Sequence, residues 1–485
     1  VTAPRRPRSG APRPGRRRHP ATRRPQLDGA RLTAYDVLDG VTSRAAYANL
    51  LLPQLLRERG LDTRDAAFAT QLAYGALRAQ GTLDAILAGL VSRPLAELDP
   101  RVLDLLRLGA YQVVDLRVPS HAAVDTTVDL TRAIVGAGAA GLVNAVLRKV
   151  AAGGDRAAWL EQLGGDAPTR LALATDHPRW IVDAWREALD GGSAGEPGDG
   201  TEPAGERDTE PAGELEAALV ADDAAPEVHL VARRTERDAL VEESGGVPGP
   251  WSPYAVRIPG GDPGRLPSVR SGAAAAQDEG SQVAALLLTR VPLDGPDTAW
   301  LDMCAGPGGK AALLAAVRPD GVRLTAADRA PHRAELVRQA VRGEADVEVL
   351  VADGTAPPWA PGSFDRVLLD APCTGLGALR RRPEVRWRRR PEDVPDLVAL
   401  QSALLDSALQ SVRVGGVVAY VTCSPHTDET VRVVDAAATR DDVEVLPVAP
   451  LLPEVPGVAR GRHGQLWPHR HGTDAMFMAL LRRTR

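Results

Sequence analysis

Cys304, Cys373 and Cys423 are the only cysteines of this chain, and each follows a short β-rich run. The first lies in Asp302-Met303-Cys304-Ala305-Gly306-Pro307-Gly308-Gly309-Lys310, the second in Asp370-Ala371-Pro372-Cys373-Thr374-Gly375-Leu376-Gly377, the third in Thr422-Cys423-Ser424-Pro425-His426. A lone cysteine is ordinarily a small buried hydrophobe. Three thiols at the carboxyl ends of three predicted strands fit that role poorly, because a thiolate is also a strong nucleophile. Redox pairs and metal ligands are the other uses of such thiols, and the Cys-x-x-Cys spacing that favours them is absent, so no metal is expected.

The Cys304 segment is also a ligand-binding turn. Glycines between a strand and a helix let backbone approach a ligand while the first helical amides point at it. It is not a phosphate-binding P-loop, since Ala311 stands where Ser or Thr would hold magnesium, and the G-x-G-x-x-G dinucleotide spacing is missing. Asp328 closes the next predicted strand, placed to accept hydrogen bonds from a ribose diol, and Asp353 closes the one after. Glycine or acid at successive strand ends points to a nucleoside ligand. Of 58 basic residues only Lys149 and Lys310 are lysine, and the second immediately follows the glycine turn.

These residues need a parallel sheet to bring them together. From Gln277 onward β-rich runs at 299–303, 322–327, 347–351, 366–369 and 416–422 alternate with helical patterns at 310–317, 333–341 and 397–412, which predicts an α/β domain with both sheet faces covered. Ligands bind outside the carboxyl ends of such strands. Upstream, Ala34, Val37, Leu38 and Val41, and Leu83, Ile86, Leu87 and Leu90, recur at helical spacing, so residues 28–165 are read as an all-α domain of five to seven helices punctuated at Pro53, Gly60, Gly81, Pro94 and Pro119. A connecting subdomain over 166–270 holds the repeated TEPAGE and an acidic insertion near 190–215 whose composition predicts disorder. Residues 271–485 complete the division.

Composition sets the wider frame. With 485 residues, 44% hydrophobic and 25% charged, the chain is expected to fold as several packed domains. No apolar run reaches the roughly 18 residues of a membrane span, and no disulfide framework is possible, which predicts a cytoplasmic protein without membrane contact. The net charge of −5 hides strong asymmetry. Residues 1–27, read as a disordered tail, carry nine arginines and no acid, and Arg380–Arg390 reads RRRPEVRWRRR, a stretch expected to face RNA.

The segments DMCAGPGGK, DAPCTGLG and VTCSPHTDE resemble the motifs of the Sun/Nop2 family of S-adenosylmethionine-dependent RNA cytosine-5 methyltransferases. Gln277-Asp278-Glu279-Gly280-Ser281-Gln282 resembles the segment before that core, and Gly472-Thr473-Asp474 with Met476-Phe477-Met478 its closing strand. Gly75-Ala76-Leu77-Arg78 and Val143–Lys149 are similar to the NusB-like RNA-binding domain, a pairing typical of the RsmB/Sun/Fmu enzymes of small-subunit rRNA. The likeness covers nearly everything except the basic tail and the acidic insertion. Ala305-Gly306 departs mildly from the family's Ala-Ala, and Ala221–Arg233 lacks its usual Arg-Val-Asn pattern.

The resemblance implies a NusB-like helical domain joined to a Rossmann-like class I methyltransferase domain. It implies S-adenosylmethionine as cofactor, held by Cys304, Ala305, Gly306, Pro307, Gly308, Gly309, Lys310, Asp328, Arg333, Asp353 and Asp370. It makes Cys423 the nucleophile on carbon 6 of cytosine, Asp370 the contact to ring nitrogen 3, and Cys373 the residue that helps release the adduct. The Pro372-Cys373 pair matches the nucleophile of DNA cytosine-5 methyltransferases, but the Thr-Cys-Ser-Pro context of Cys423 is absent from those enzymes. The expected partner is 16S rRNA, free or in a partly assembled small subunit, and the expected state a monomer. The alternatives are methylation of tRNA or another rRNA, and a non-catalytic RNA-binding assembly factor.

Overall fold

The computed structural model describes residues 27–116, 118–191 and 211–485. The basic tail up to residue 26 and residues 192–210 of the acidic insertion lie outside the described residues. The insertion reaches less far than its composition suggests: Pro211–Asp223 is a helix whose Leu215, Ala218 and Leu219 are buried with Trp185 and Trp467.

Among the described residues, eight α-helices span Gly29–Leu163, one more than the upper expectation. Two expected breaks are helix-internal. Pro53 lies within Ala48–Arg59, and Gly81 lies within Gln80–Ala88. Gly81 is kept by packing: a Cβ there would sit 2.3 Å from the ring of Trp387, which comes from the far end of the chain. Asp28, Asp62, Asp99 and Asp155 cap helix starts by accepting backbone N–H groups, which is why acids precede so many of these helices. Residues 166–190 form two helices, Ala167–Ala174 and Arg179–Asp190.

A small antiparallel sheet follows, built of β1 (Val228–Ala232), β2 (Val247–Pro248), β3 (Ala255–Ile258) and β4 (Ala274–Ala276) in the order β2-β3-β1-β4. The main sheet has nine strands: β5 (Ala299–Asp302), β6 (Arg323–Asp328), β7 (Val347–Val351), β8 (Phe364–Asp370), β9 (Val412–Thr422), β10 (Val443–Leu446), β11 (Ala459–Arg460), β12 (His463–Gln465) and β13 (Phe477–Arg483). Its order is β11-β12-β13-β9-β8-β5-β6-β7, with β10 also paired to β13. Strands β5 to β9 are parallel, as the strand–helix alternation predicts, while β10 to β13 add an antiparallel edge that the alternation did not reveal.

Both faces of this sheet are covered. Glu279–Arg290 and Gly309–Val317 pack on one side with Trp300, Leu324, Leu368 and Met478. Val394–Ser411 and Val431–Ala438 pack on the other with Leu301, Val367, Tyr420 and Phe477. Adjacent residues of one strand thus serve opposite cores, as a doubly covered strand requires. After β7 the chain returns to place β8 on the other side of β5, so β5 and β8 flank the point where strand order reverses. Ligands settle in the crevice at that point.

Candidate active site

The carboxyl ends of β5, β8 and β9 carry the three cysteines onto one rim of the sheet. Cys373 Sγ and Cys423 Sγ are 3.5 Å apart. Backbone pairing sets this approach: Ala371 N–H donates to Val421 O at 2.9 Å and Gly377 N–H to Cys423 O at 2.9 Å. Cys304 has no such partner among the described residues, and burial with the neighbouring Asp302 pushes its thiol well up. The pair is electrically unequal. The hydrogen bond shared with Cys373 and the Lys310 ammonium lower the Cys423 thiol, outweighing burial and the negative Asp370. The same hydrogen bond and burial hold the Cys373 thiol well up. Of the two thiols, Cys423 is the one whose ionisation is favoured, and Cys373 the one that holds its proton more tightly.

Lys310 extends from the first turn of Gly309–Val317 to Asp370, with Nζ 2.8 Å from Oδ2. The retained lysine thus touches one predicted site residue and acts on another. At the opposite side of β5, Gly306 N–H donates to Asp328 Oδ2 at 3.0 Å, and Arg333 Nε lies 3.3 Å from the same carboxylate. A Cβ on Gly306 would fall 2.4 Å from Asp328 Oδ2, so glycine rather than the family's alanine fits this close approach. Gly308 adopts φ +108° before the helix begins. Ala305 is buried and Pro307 exposed within the same turn. Asp353 ends up on the same rim at the end of β7 but is engaged by its own turn, accepting from Thr355 N–H at 3.0 Å and Thr355 Oγ1 at 2.7 Å.

Two residues of this site were quoted within motifs yet given no role. Asp302 is fully buried between Asp370, Lys310 and Asp328, and neither of its carboxylate oxygens has a hydrogen-bond partner among the described residues. Burial and the negative Asp370 push its carboxyl up to about 8. Glu429, also fully buried, accepts from Thr374 N–H at 2.7 Å, Thr374 Oγ1 at 2.5 Å, Ser424 Oγ at 2.7 Å and Gln401 Nε2 at 3.1 Å. The signal for it was a hydroxyl directly after each cysteine of the pair; the carboxylate that receives both is recognisable only in three dimensions. Glu429 ties the Cys373 loop to the Cys423 loop. Glu429→Gln turns an amide N–H₂ toward this ring of donors, so we expect about 1–3 kcal/mol of lost stability. Methyl transfer should fall at least tenfold, as the paired loops lose register. Thermal midpoints and single-turnover rates measure both, and unchanged values would show that the carboxylate does not set the pair.

The basic stretch corrects an expectation. Most of Arg380–Arg390 is buried or half-buried against protein rather than free to face RNA. Arg380 and Arg381 bind Asp278 and Asp474, and Arg386 donates to Asp176 O at 2.8 Å and to Asp223 at 2.6 Å. Trp387 Nε1 donates to Leu77 O at 2.7 Å, and Arg388 donates to Val41 O and Ala46 O. Trp387 and Arg388 clamp this loop to the helical domain, and Arg386 clamps it to the connecting subdomain. Arg382 and Arg390 stay exposed.

A glycine turn, acids and a thiol pair at the switch point of a doubly covered sheet define a Rossmann-like methyltransferase domain. Residues 291–482 match the family model of the 16S rRNA methyltransferases RsmB/F, and residues 28–152 match the NusB family. A Mycobacterium tuberculosis protein provisionally named a methyltransferase is 50% identical over 95% of this chain and 98% of its own length. The ribosomal RNA small subunit methyltransferase B of Pseudomonas syringae is 32% identical over 93% of this chain and 96% of its own. The crystal structure of PH0851 superposes with a TM-score of 0.77 at 21% identity, covering 94% of this chain and 98% of that one, which supports the fold. The chain belongs to the RsmB/F family of small-subunit rRNA methyltransferases.

Proposed function

We propose that this chain methylates carbon 5 of a cytosine in 16S rRNA, free or in a partly assembled small subunit, through a covalent bond from Cys423 to carbon 6. The observation that carries this reading is the unequal thiol pair at 3.5 Å beside the Lys310–Asp370 ion pair. Carbon 5 of cytosine is too weak a nucleophile by itself. Addition of the Cys423 thiolate at carbon 6 gives an enamine whose carbon 5 is nucleophilic. Asp370 contacts ring nitrogen 3, and the adjacent Lys310 holds a proton that the pair presents there as charge develops. Once carbon 5 carries the methyl group, a base takes its proton, the carbon 5–carbon 6 double bond re-forms and Cys423 leaves as thiolate, with Cys373 assisting release.

S-adenosylmethionine, when bound, supplies an electrophilic methyl group. The rim fits it: Asp302 offers unpartnered buried carboxylate oxygens for an ammonium, and Asp328 faces the glycine turn where a ribose diol would be held. Cys304 to Lys310, Arg333, Asp353 and Asp370 complete the proposed contacts.

Asp302 also makes a pH prediction. Its folded pKa is raised, so the unfolded carboxyl ionises near pH 4 while the folded one stays protonated until about 8. Stability contributed at low pH is therefore lost progressively as pH rises across that window. Asp302→Asn should raise the thermal midpoint at pH 8 by the equivalent of a few kcal/mol, on the order expected for a buried carboxyl, with little change at pH 4. It should also weaken S-adenosylhomocysteine binding. Thermal scans at both pH values with calorimetry test this, and a uniform shift would contradict it.

We read the protein as a cytoplasmic monomer. Among the described residues no helix is long and apolar enough to cross a membrane. Bisulfite sequencing of RNA from a deletion strain tests the substrate. Loss of one small-subunit methylcytosine is expected; loss in tRNA would move the substrate, and no loss would leave a binding factor.

A further inference from the structure

Beside the thiol pair, the helical domain and the catalytic loop together build an exposed aromatic–guanidinium stack. Tyr47, just before the helix Ala48–Arg59, is 45% exposed, and Leu50 one turn on is 68% exposed. Large apolar side chains left this open are few in the described structure. The Arg382 guanidinium lies 5.6 Å from the Tyr47 ring centroid, and that of Arg388 lies 5.5 Å away. The two arginines differ. Arg388 is spent on the backbone carbonyls of Val41 and Ala46. Arg382 is exposed, and its guanidinium has no hydrogen-bond or ion-pair partner among the described residues. In a stretch where Arg380, Arg381 and Arg386 all bind carboxylates, the Arg382 cation is left open.

The stack is tied to the reacting atoms by the loop that carries it. That loop leaves the site at Cys373, where Gly377 N–H bonds Cys423 O at 2.9 Å. It returns at Arg389, which donates to Thr374 O at 3.3 Å and Cys373 O at 3.4 Å. Arg382 sits between those anchors, near enough for its charge to help lower the Cys423 thiol.

We propose that Tyr47 and Arg382 form a binding site for a single-stranded nucleotide flanking the target cytosine, its base stacked on the tyrosine and its phosphate held by the guanidinium. A guanidinium over an exposed ring offers a flat apolar surface and a fixed charge, which is what an unpaired nucleotide presents in complement. A target drawn out of its helix leaves its neighbours unstacked, so a platform here steadies the strand while the thiol reaches carbon 6. The inference rests on the reading that RNA is the substrate.

The test uses the full chain and a short single-stranded oligocytidylate, with heparin as a polyanion that has no bases. Tyr47→Ala should weaken the oligonucleotide roughly tenfold and leave heparin unchanged, while Tyr47→Phe keeps wild-type affinity. Arg382→Ala should weaken both ligands and lower the salt slope of binding by about 0.7–1. Unaltered S-adenosylhomocysteine binding reports that each variant is folded. If Tyr47→Ala and Arg382→Ala bind the oligonucleotide like the parent while the parent still methylates RNA, the platform is wrong and the proposed reaction stands. If Tyr47→Ala loses heparin and RNA equally, the stacking role is overturned. A parent chain that binds no RNA overturns the reaction and the platform together.

Discussion

Cys423→Ala is expected to lower methyl transfer by roughly 10⁴-fold or more, as removal of a catalytic nucleophile does, and to abolish trapping by RNA carrying 5-fluorocytosine. Fluorine at carbon 5 cannot leave as a proton does, so an adduct formed by a sulfur at carbon 6 persists and migrates as a protein–RNA species on a denaturing gel. Cys373→Ala separates the two thiols. Its sulfur is 3.5 Å from Cys423, close enough to give and take a proton but held protonated. That variant should form the adduct with unmodified RNA and resolve it slowly, so the species accumulates without the fluorinated base. The reverse pattern, trapping by Cys423→Ala and none by Cys373→Ala, would hand the nucleophile's role to the Pro372-Cys373 pair.

Arg386→Ala is expected to cost about 3 kcal/mol, toward the lower end for breaking a buried ion pair because Asp223 keeps some access to water. Arg386 is fully buried, donating to Asp176 O and to the Asp223 carboxylate, so truncation strands both acceptors and opens a void. Arg386→Met fills most of that void and should lose less. Thermal midpoints of the two variants check the ordering. Equal midpoints for Arg386→Ala and the parent would show that the clamp carries no stability.

The elements were more legible than the contacts between them. Strand ends at Asp302, Asp328, Asp370 and Thr422 follow from local β-rich runs punctuated by glycine and proline, and the glycine turn is contiguous in sequence. The pairing of Cys373 with Cys423 joins residues 50 apart, and local pattern does not encode it. Glu429 was hidden for the same reason. Arg380–Arg390 misled because charge is visible in a sequence while the acids that neutralise it are not: Asp278 lies about a hundred residues before Arg380, and Asp474 about as far after. Gly81 reads as a helix breaker until the indole of Trp387 is seen resting on it.

That indole has a practical corollary. Trp387 enters the helical layer between Gly81 and the Leu77 carbonyl, only 14 residues beyond Cys373. Cutting the gene at the acidic segment to express the C-terminal half alone would uncover Trp387 and leave Arg388 without its carbonyl acceptors. The fragment would present a sticky, charged wound directly beside its own reaction centre. The two halves look like interchangeable modules in a diagram, yet this tryptophan makes them one manufacturing unit.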